Sequence, residues 1–189
     1  MLRTCTPTST LALTLAGGAG GVAVGVPPAR ADDFTTTPSG LKYLDLKPGT
    51  GASPGPKSRV SVHWSGYTKG YQAKRIDNTS VRDEPYEFQL GSHEVIAAFE
   101  EAVAGMKVGG IRRVEVPGEL PGLSYPRNRS ERFVSDSFST DGTLFKYRYG
   151  PQPSELGGQR ALDFVLDNGT LQDFNRSLLF DIKLLSVRS

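Results

Sequence analysis

The sequence has few residues that could carry covalent or metal chemistry. Of its 189 residues only one is cysteine and two are histidine. The cysteine, Cys5, stands near the amino terminus, in a segment that we expect to be removed, so no disulfide is expected to hold the fold. His63 and His93 have no partner at ligand spacing, and we predict neither a metal site nor a cofactor. No pairing of a nucleophile with a general base is evident either.

The first residues read as a targeting segment. Residues 1–31 lack Asp and Glu and hold an apolar, glycine-rich run over 11–26. That run is short for a membrane-spanning helix, and Ala29-Arg30-Ala31 fits a cleavage site of the A-x-A type. We therefore expect a cleavable segment at 1–31, a flexible lead-in at 32–40, and one domain at 41–189 without a membrane span.

The charge balance argues against two further classes of partner. The whole sequence has 22 Lys and Arg against 20 Asp and Glu, but Arg3 and Arg30 lie in the expected leader. Its removal leaves 20 basic residues (22 − 2) against 20 acidic ones. Because no basic excess remains, we predict neither nucleic acid nor an anionic membrane surface as a partner.

The sequence is organised around residues 85–103, which predict a strand followed by a short helix. Apolar and polar residues alternate over 86–90, as in a strand with one buried face. After Gly91 the apolar residues recur at helical spacing. Ser92 stands where an N-cap is expected, and Gly105 where a left-handed residue would end the helix.

The remaining patterns predict an α+β domain. Alternating apolar residues indicate four more strands, at 41–46, 59–67, 111–116 and 177–187. The polar stretch 69–84 reads as loop or edge strand, and 160–166 as a short strand or a helical turn. A long segment of weaker periodicity, about 121–172, precedes the last strand, and part of it is expected to fold onto the rest.

Several motifs resemble a known family in their order and spacing. They are VHWSGY at 62–67, the pair Ile76-Asp77, the stretch 85–117, and SLLFDIKLL at 177–185. Together they resemble the FKBP-type peptidyl-prolyl cis–trans isomerases, over residues 41–123 and 172–187. The resemblance implies a five-stranded antiparallel sheet wrapped around one short helix, with an apolar pocket between them.

A narrower resemblance concerns location and partners. The segment GPQPSELGGQRALDFVL at 150–166, together with the leader, is similar to plant and algal FKBP-type proteins of the thylakoid lumen. That resemblance implies a chloroplast thylakoid-lumen protein. Its partners would be proline-containing polypeptides, among them a subunit of a lumenal photosynthetic complex. By composition alone, a secretory or periplasmic signal fits residues 1–31 equally well.

The family's reaction fits a chain with no nucleophile. Rotation about an X–Pro bond faces a barrier of about 18–20 kcal/mol, because twisting breaks the amide resonance. The twisted amide has less charge separation than the planar one, so a dry apolar pocket favours it. The reaction needs a donor for the substrate carbonyl and apolar walls for the proline ring, but no covalent step and no cofactor.

The resemblance assigns roles to particular positions. Asp77 is the polar residue that faces the amide, the N–H of Ile96 is the carbonyl donor, and Tyr125 is a candidate donor if its loop folds back. The implied substrate-binding residues are Trp64, Ile76, Tyr86, Val95, Phe99 and Phe180, with Phe99 as the floor. From the residues alone, the apolar members of this set could equally be ordinary core residues. Asp77, beside Asn78, could equally be a turn residue.

Three positions depart from the family pattern. Phe99 stands where active members usually have tryptophan, and Ile76 where they usually have an aromatic wall. Pro121 stands where they usually have a tyrosine donor. Two hypotheses follow. One is a working prolyl isomerase for exported proteins, and the other is a catalytically weak or inactive FKBP-like chaperone or assembly factor that binds a lumenal partner.

Overall fold

The computed structural model describes residues 34–70, 72–134 and 146–189. The expected targeting segment at 1–31, with Cys5, lies outside the described residues. Within the described residues, no helix combines the length and the apolar character needed to cross a bilayer.

The described residues form an antiparallel sheet. Its strands are β1 (Thr35–Thr36), β2 (Lys42–Lys47), β3 (Arg59–Thr68), β4 (Arg75–Asn78), β5 (Tyr86–Gln89), β6 (Ile111–Val116) and β7 (Leu178–Arg188). The order is β1-β2-β6-β7-β3-β4, and β5 also pairs with β3. The predicted antiparallel α+β architecture is confirmed. Five strands was an underestimate, because the short strands β1 and β4 add pairs beside β2 and β3.

The central helix, α2 (Ala97–Ala104), packs against this sheet but begins later than predicted. Ile96, in extended conformation, is its N-cap residue and makes no side-chain capping bond. The hydroxyl of Ser92 instead donates to the carbonyl of Gln89 at 2.7 Å, within the turn that precedes the helix. Gly105 has φ −88°, so the expected left-handed end of the helix is also wrong.

The segment between β6 and β7 adds two helices, α3 (Arg129–Arg132) and α4 (Leu156–Asp167), and a 3₁₀ turn, Asp173–Arg176. Residues 160–166 thus belong to a helix of 12 residues, longer than the predicted strand or turn. The helix α4 lies against β4, where a Cβ added at Gly158 would come within 1.8 Å of the carbonyl oxygen of Ile76. Absence of a side chain at Gly158 is what allows this approach.

The stretch 69–84, predicted as loop or edge strand, contains β4 and a one-turn helix, α1 (Thr79–Arg82).

The inserted segment between β6 and β7 reaches the start of α2. The peptide bond between Gly150 and Pro151 is cis. The residue Gly150 forms a parallel β-bridge with Val95, just before α2, so the inserted segment passes directly over the start of the central helix.

Candidate functional site

An aromatic cluster lies between the sheet and α2. The ring of Phe99 is 6.5 Å from that of Trp64, 5.8 Å from that of Phe180 and 5.9 Å from that of Phe88, all nearly edge-to-face. All four side chains are at most 1% exposed. Such arrangements of rings are favourable beyond the burial of area alone. The structure therefore brings three of the expected site residues together, with Phe99 at the centre.

A glycine on β3 makes room for two of these rings. A Cβ at Gly66 would lie 2.9 Å from the Trp64 ring and 3.0 Å from the Phe180 ring. The indole nitrogen of Trp64 is buried and has no hydrogen-bond partner among the residues that the structure describes. The cluster thus includes an unpaired donor, which is unusual for a buried polar group.

The apolar residues expected around this cluster are closed off from solvent. Ile76, Val95 and Ile96 are each at most 3% exposed. Tyr86 is half-buried, and its ring stacks on that of Phe88 at 6.0 Å. Burial and the nearby charge of Glu94 raise the pKa of the Tyr86 hydroxyl to about 12, so it stays protonated at neutral pH.

Asp77, on β4, is held by several donors. Its carboxylate accepts hydrogen bonds from the guanidinium of Arg82 at 2.6 and 3.2 Å, from the N–H of Asn78 at 2.6 Å and from the N–H of Ser154 at 2.9 Å. Burial acts to raise the pKa of Asp77, but these bonds outweigh it and the net pKa lies below the ordinary value. The carboxylate is therefore ionised and already paired within the chain.

The backbone at Ile96 contacts the inserted segment. Its N–H donates to the carbonyl of Gly150 at 2.8 Å, and the N–H of Gly150 donates to the carbonyl of Glu94 at 2.7 Å. The N–H of an N-cap residue has no acceptor within its own helix. This donor, which the resemblance assigns to a substrate carbonyl, is thus occupied by the chain itself.

Tyr125 makes a second contact with the inserted segment, at Pro151. Its hydroxyl donates to the carbonyl of Pro151 at 2.5 Å. The side chain is 1% exposed, and burial raises the pKa of the phenol well above its ordinary value. It therefore remains a donor at any physiological pH. The loop after β6 does bring Tyr125 to the site, whereas Pro121 makes no such contact because it lacks an N–H and a side-chain donor.

Sequence reasoning missed the residues that fill the site. They are Gly150, Pro151 and Ser154, which meet Ile96, Tyr125 and Asp77 respectively. All three contacts use backbone groups of Gly150, Pro151 and Ser154, and backbone groups give no signal in the sequence.

The two histidines lie apart from this arrangement. His63 Nδ1 is 3.2 Å from the hydroxyl of Thr79, and the N–H of His93 donates to the carboxylate of Glu100 at 2.9 Å. Among the described residues, no group of three or more His, Cys, Asp or Glu could hold a metal ion.

The geometry can hold one proline and the residue before it. The N–H of Ile96 meets the carbonyl of the amide bond that precedes Pro151, and the hydroxyl of Tyr125 meets the carbonyl that follows it. Gly150 and Pro151 are both buried. The arrangement therefore places two fixed donors beside the carbonyls of one buried Gly-Pro dipeptide.

Comparison with known proteins identifies the family to which the chain is similar. Residues 51–185 match the family described as FKBP-type peptidyl-prolyl cis-trans isomerase. The chain is 42% identical over 164 residues to the Arabidopsis thaliana protein named peptidyl-prolyl cis-trans isomerase FKBP19, chloroplastic, covering 82% of this chain and 56% of that protein. It is 35% identical over 169 residues to the chloroplastic FKBP17-1 of the same plant, covering 85% of this chain and 66% of that protein.

A solved structure shares the fold at low identity. The N-terminal domain of FKBP42 from Arabidopsis thaliana superposes with a TM-score of 0.51 and 19% sequence identity, over 87% of this chain and 98% of that one. The chain thus spans somewhat more than half to about two thirds of the length of the two curated relatives above. The match over 51–185 and these identities place the chain in the FKBP-type peptidyl-prolyl cis-trans isomerase family.

Proposed function

We propose that the protein is a peptidyl-prolyl cis–trans isomerase that acts on proline-containing polypeptides without a covalent step. One observation carries the proposal: Ile96 and Tyr125 donate to the two carbonyls on either side of a proline. A substrate held in the same way would have its X–Pro carbonyl fixed by Ile96. The neighbouring apolar surroundings would then disfavour the planar, charge-separated amide relative to the twisted one.

The aromatic cluster and Asp77 have supporting roles in this proposal. Phe99, with Trp64 and Phe180 against it, forms the apolar floor beneath the site, and Val95, Ile76 and Tyr86 form its walls. Asp77 fixes the chain that follows the proline by accepting from the N–H of the third residue beyond it, as it does from Ser154. Positioning of this kind lowers the entropic cost of reaching the twisted state.

We infer a chloroplast location because the similar Arabidopsis thaliana proteins are named chloroplastic. The thylakoid lumen is the finer proposal, supported by the resemblance of residues 150–166 to the lumenal subgroup and by the expected targeting segment at 1–31. Exported proline-containing proteins would then be the substrates. Accumulation of a fluorescent fusion in the lumen of isolated chloroplasts, with loss of residues 1–31, tests this location.

A second candidate function is supported by the occupied site. The donors of Ile96 and Tyr125 are already used by Gly150 and Pro151, and Phe99 replaces the tryptophan usual in active members. A chaperone or assembly factor with little turnover, bound to a lumenal photosynthetic-complex subunit, would not need a free site.

Removal of one backbone donor tests the isomerase proposal. Ile96 has φ −61° and its N–H serves no bond within α2, so Ile96→Pro deletes the donor with a compatible backbone. Ile96→Val keeps the donor and most of the packing, and serves as the control. We expect the rate of cis–trans exchange of a Gly-Pro peptide, measured by NMR, to fall about tenfold or more in Ile96→Pro. Equal rates in the two variants would contradict the proposal.

A further inference from the structure

Residues 150–154, here called the GP segment, fill the site as a ligand would. The chain outside the segment holds it at Glu94, Ile96, Tyr125 and Asp77, with donor–acceptor distances between 2.5 and 2.9 Å. The hydroxyl of Ser154 adds a second contact with the Asp77 carboxylate at 3.3 Å. Gly150, Pro151 and Pro153 within the segment are buried.

The first part of the contact is made by backbone on both sides. Gly150 donates to Glu94 and accepts from Ile96, which gives a parallel bridge centred on Val95. Addition of a short extended segment to exposed backbone groups is a common way for proteins to bind peptides. Backbone pairing of this type accepts any extended chain, so selectivity must come from the side chains around it.

Tyr86 supplies that selectivity at the position before the proline. A Cβ added at Gly150 would lie 2.0 Å from the hydroxyl oxygen of Tyr86 and 2.8 Å from the ring carbon that bears it. Both distances are far below van der Waals contact. Only glycine fits before the proline while Tyr86 keeps this position, whichever chain supplies the dipeptide.

The GP segment is tethered by a helix that has its own anchors. The segment leads directly into α4. Arg132 contacts the carboxylates of Asp163 and Asp167 on that helix, and Arg176 donates to the carbonyls of Val165 and Leu166 at 2.9 Å each. Displacement of residues 150–154 would leave these contacts in place. A tethered ligand acts at an effective concentration of about millimolar.

We propose that this site is a receptor for Gly-Pro segments and that residues 150–154 are its built-in ligand, which a polypeptide must displace in order to bind. The inference rests on the proposed function. It adds that the ligands are Gly-Pro segments and that residues 150–154 compete with them. An extended peptide with glycine before proline and an N–H donor three residues later fits the contacts made by Ile96, Tyr125 and Asp77. Isomerisation in trans is then limited by release of the GP segment.

The substitution Gly150→Ala tests the built-in ligand. The added methyl group would lie 2.0 Å from the Tyr86 hydroxyl oxygen, so either Tyr86 or the GP segment must move. Because the ring of Tyr86 is stacked on that of Phe88, we expect the GP segment to leave the site. Gly169→Ala is the matched control, because Gly169 is exposed and a Cβ there meets nothing within 4 Å. We expect Gly150→Ala to raise kcat/KM for a Gly-Pro peptide at least about tenfold, with Gly169→Ala equal to wild type.

Amide exchange at Ile96 reports on the segment without any assay of activity. Within the described part of the chain this N–H donates only to Gly150, so it should exchange by local opening in wild type and lose its protection in Gly150→Ala. The amides of β3 and β7 should keep theirs, which shows that the variant is folded. If Ile96 exchanges in wild type only by global unfolding, with the rate of those strands, the segment is a fixed part of the core and the proposal is overturned.

Free peptides test the ligand class. The peptide acetyl-Tyr-Gly-Pro-Gln-Pro-Ser-amide should bind Gly150→Ala and shift the Ile96 amide resonance, and the peptide with alanine in place of its glycine should bind at least about tenfold more weakly. Equal binding of the two peptides would contradict the proposal that Tyr86 admits only glycine before the proline.

The possible failures can be told apart. In one outcome Gly150→Ala is folded, with the GP segment released, and binds the glycine peptide without accelerating its isomerisation. That result contradicts the proposed isomerase activity but supports the site as a receptor for Gly-Pro segments. If wild type and Gly150→Ala are equally active and Ile96 is protected in both, the isomerase proposal stands. The proposal that residues 150–154 compete with substrate is then contradicted.

Discussion

The N–H of Ser154 donates to the carboxylate of Asp77 at 2.9 Å, across 77 positions of sequence. This bond links the inserted segment to β4, and Arg82 donates to the same carboxylate at 2.6 and 3.2 Å. Asp77 therefore has a structural task in addition to the role that we propose for it with substrate. The two tasks must be separated by experiment.

Asp77→Ala should destabilise the protein by roughly 2–4 kcal/mol. The change removes the acceptor of two guanidinium bonds of Arg82, which keeps its bond to Glu84, and of the N–H of Ser154, and removing the shared acceptor of several donors is costly. Glu84→Ala is the control, because Glu84 contacts Arg82 from an exposed position and such surface pairs contribute less than about 1 kcal/mol. Chemical denaturation of both variants measures the difference. Loss of activity in Asp77→Ala has meaning only at temperatures where the variant is fully folded.

The pKa of Asp77 gives the stability a definite pH dependence. Because the folded-state pKa lies below the ordinary value of 3.8, the ionised group contributes stability that is fully present above that value. This contribution is lost as the pH falls through the folded-state pKa. We expect the difference in unfolding free energy between wild type and Asp77→Asn to be constant from pH 7 to about pH 5 and to shrink below pH 3.8. A difference that grows on acidification would contradict the lowered pKa.

The strands could be predicted from sequence because their signal is local, whereas the roles of the aromatic residues around Phe99 came only from the family resemblance. The alternation around Trp64 and Phe180 determines which faces are buried, and the resemblance of the motifs supplied the pairing. The start of α2 could not be placed, since Ser92 has the side chain of an N-cap but donates to Gln89. Capping depends on the backbone that precedes a helix, and a single residue type does not determine it.

The occupant of the site could not be predicted for a different reason. Gly150 and Ile96 pair through backbone groups, which every residue except proline carries in full. Helix α4 was also underestimated, because Gly157 and Gly158 both lower helix propensity. The structure shows that contact with β4 requires one of these glycines and not the other.

The buried guanidinium of Arg132 should be essential for anchoring α4. It is 1% exposed, donates to the carbonyl of Pro126 at 2.9 Å, and contacts Asp163 and Asp167. Lysine cannot reproduce this forked set of bonds, so Arg132→Lys should cost roughly 2–4 kcal/mol and raise amide exchange across α4 before that of β3 and β7.

Arg129→Lys is the matched control for this variant. Arg129 also contacts Asp167, at 2.5 Å, but it is half exposed, and its replacement should change stability by less than about 1 kcal/mol. If both variants lose the same stability, then the burial of Arg132 has no special role in holding the inserted segment.

The two neighbouring glycines of α4 should respond to alanine in opposite directions. A Cβ at Gly157 meets nothing within 4 Å, whereas one at Gly158 would lie 1.8 Å from the carbonyl oxygen of Ile76. Gly157→Ala should therefore stabilise the protein by roughly 0.5–1 kcal/mol, the usual difference between these residues in a helix. Gly158→Ala gains the same helix propensity but forces α4 away from β4, and we expect a net loss of roughly 1–3 kcal/mol.

Thermal unfolding of the two variants measures both effects against one background. Because helix propensity changes equally in the pair, the difference between them isolates the contact between α4 and β4. That contact also sets the position of Ser154 relative to Asp77, so Gly158→Ala should weaken protection of the Ser154 amide while Gly157→Ala leaves it intact. Equal stabilisation by both substitutions would mean that α4 can move off β4 without cost, and that Asp77 alone holds the segment at this end.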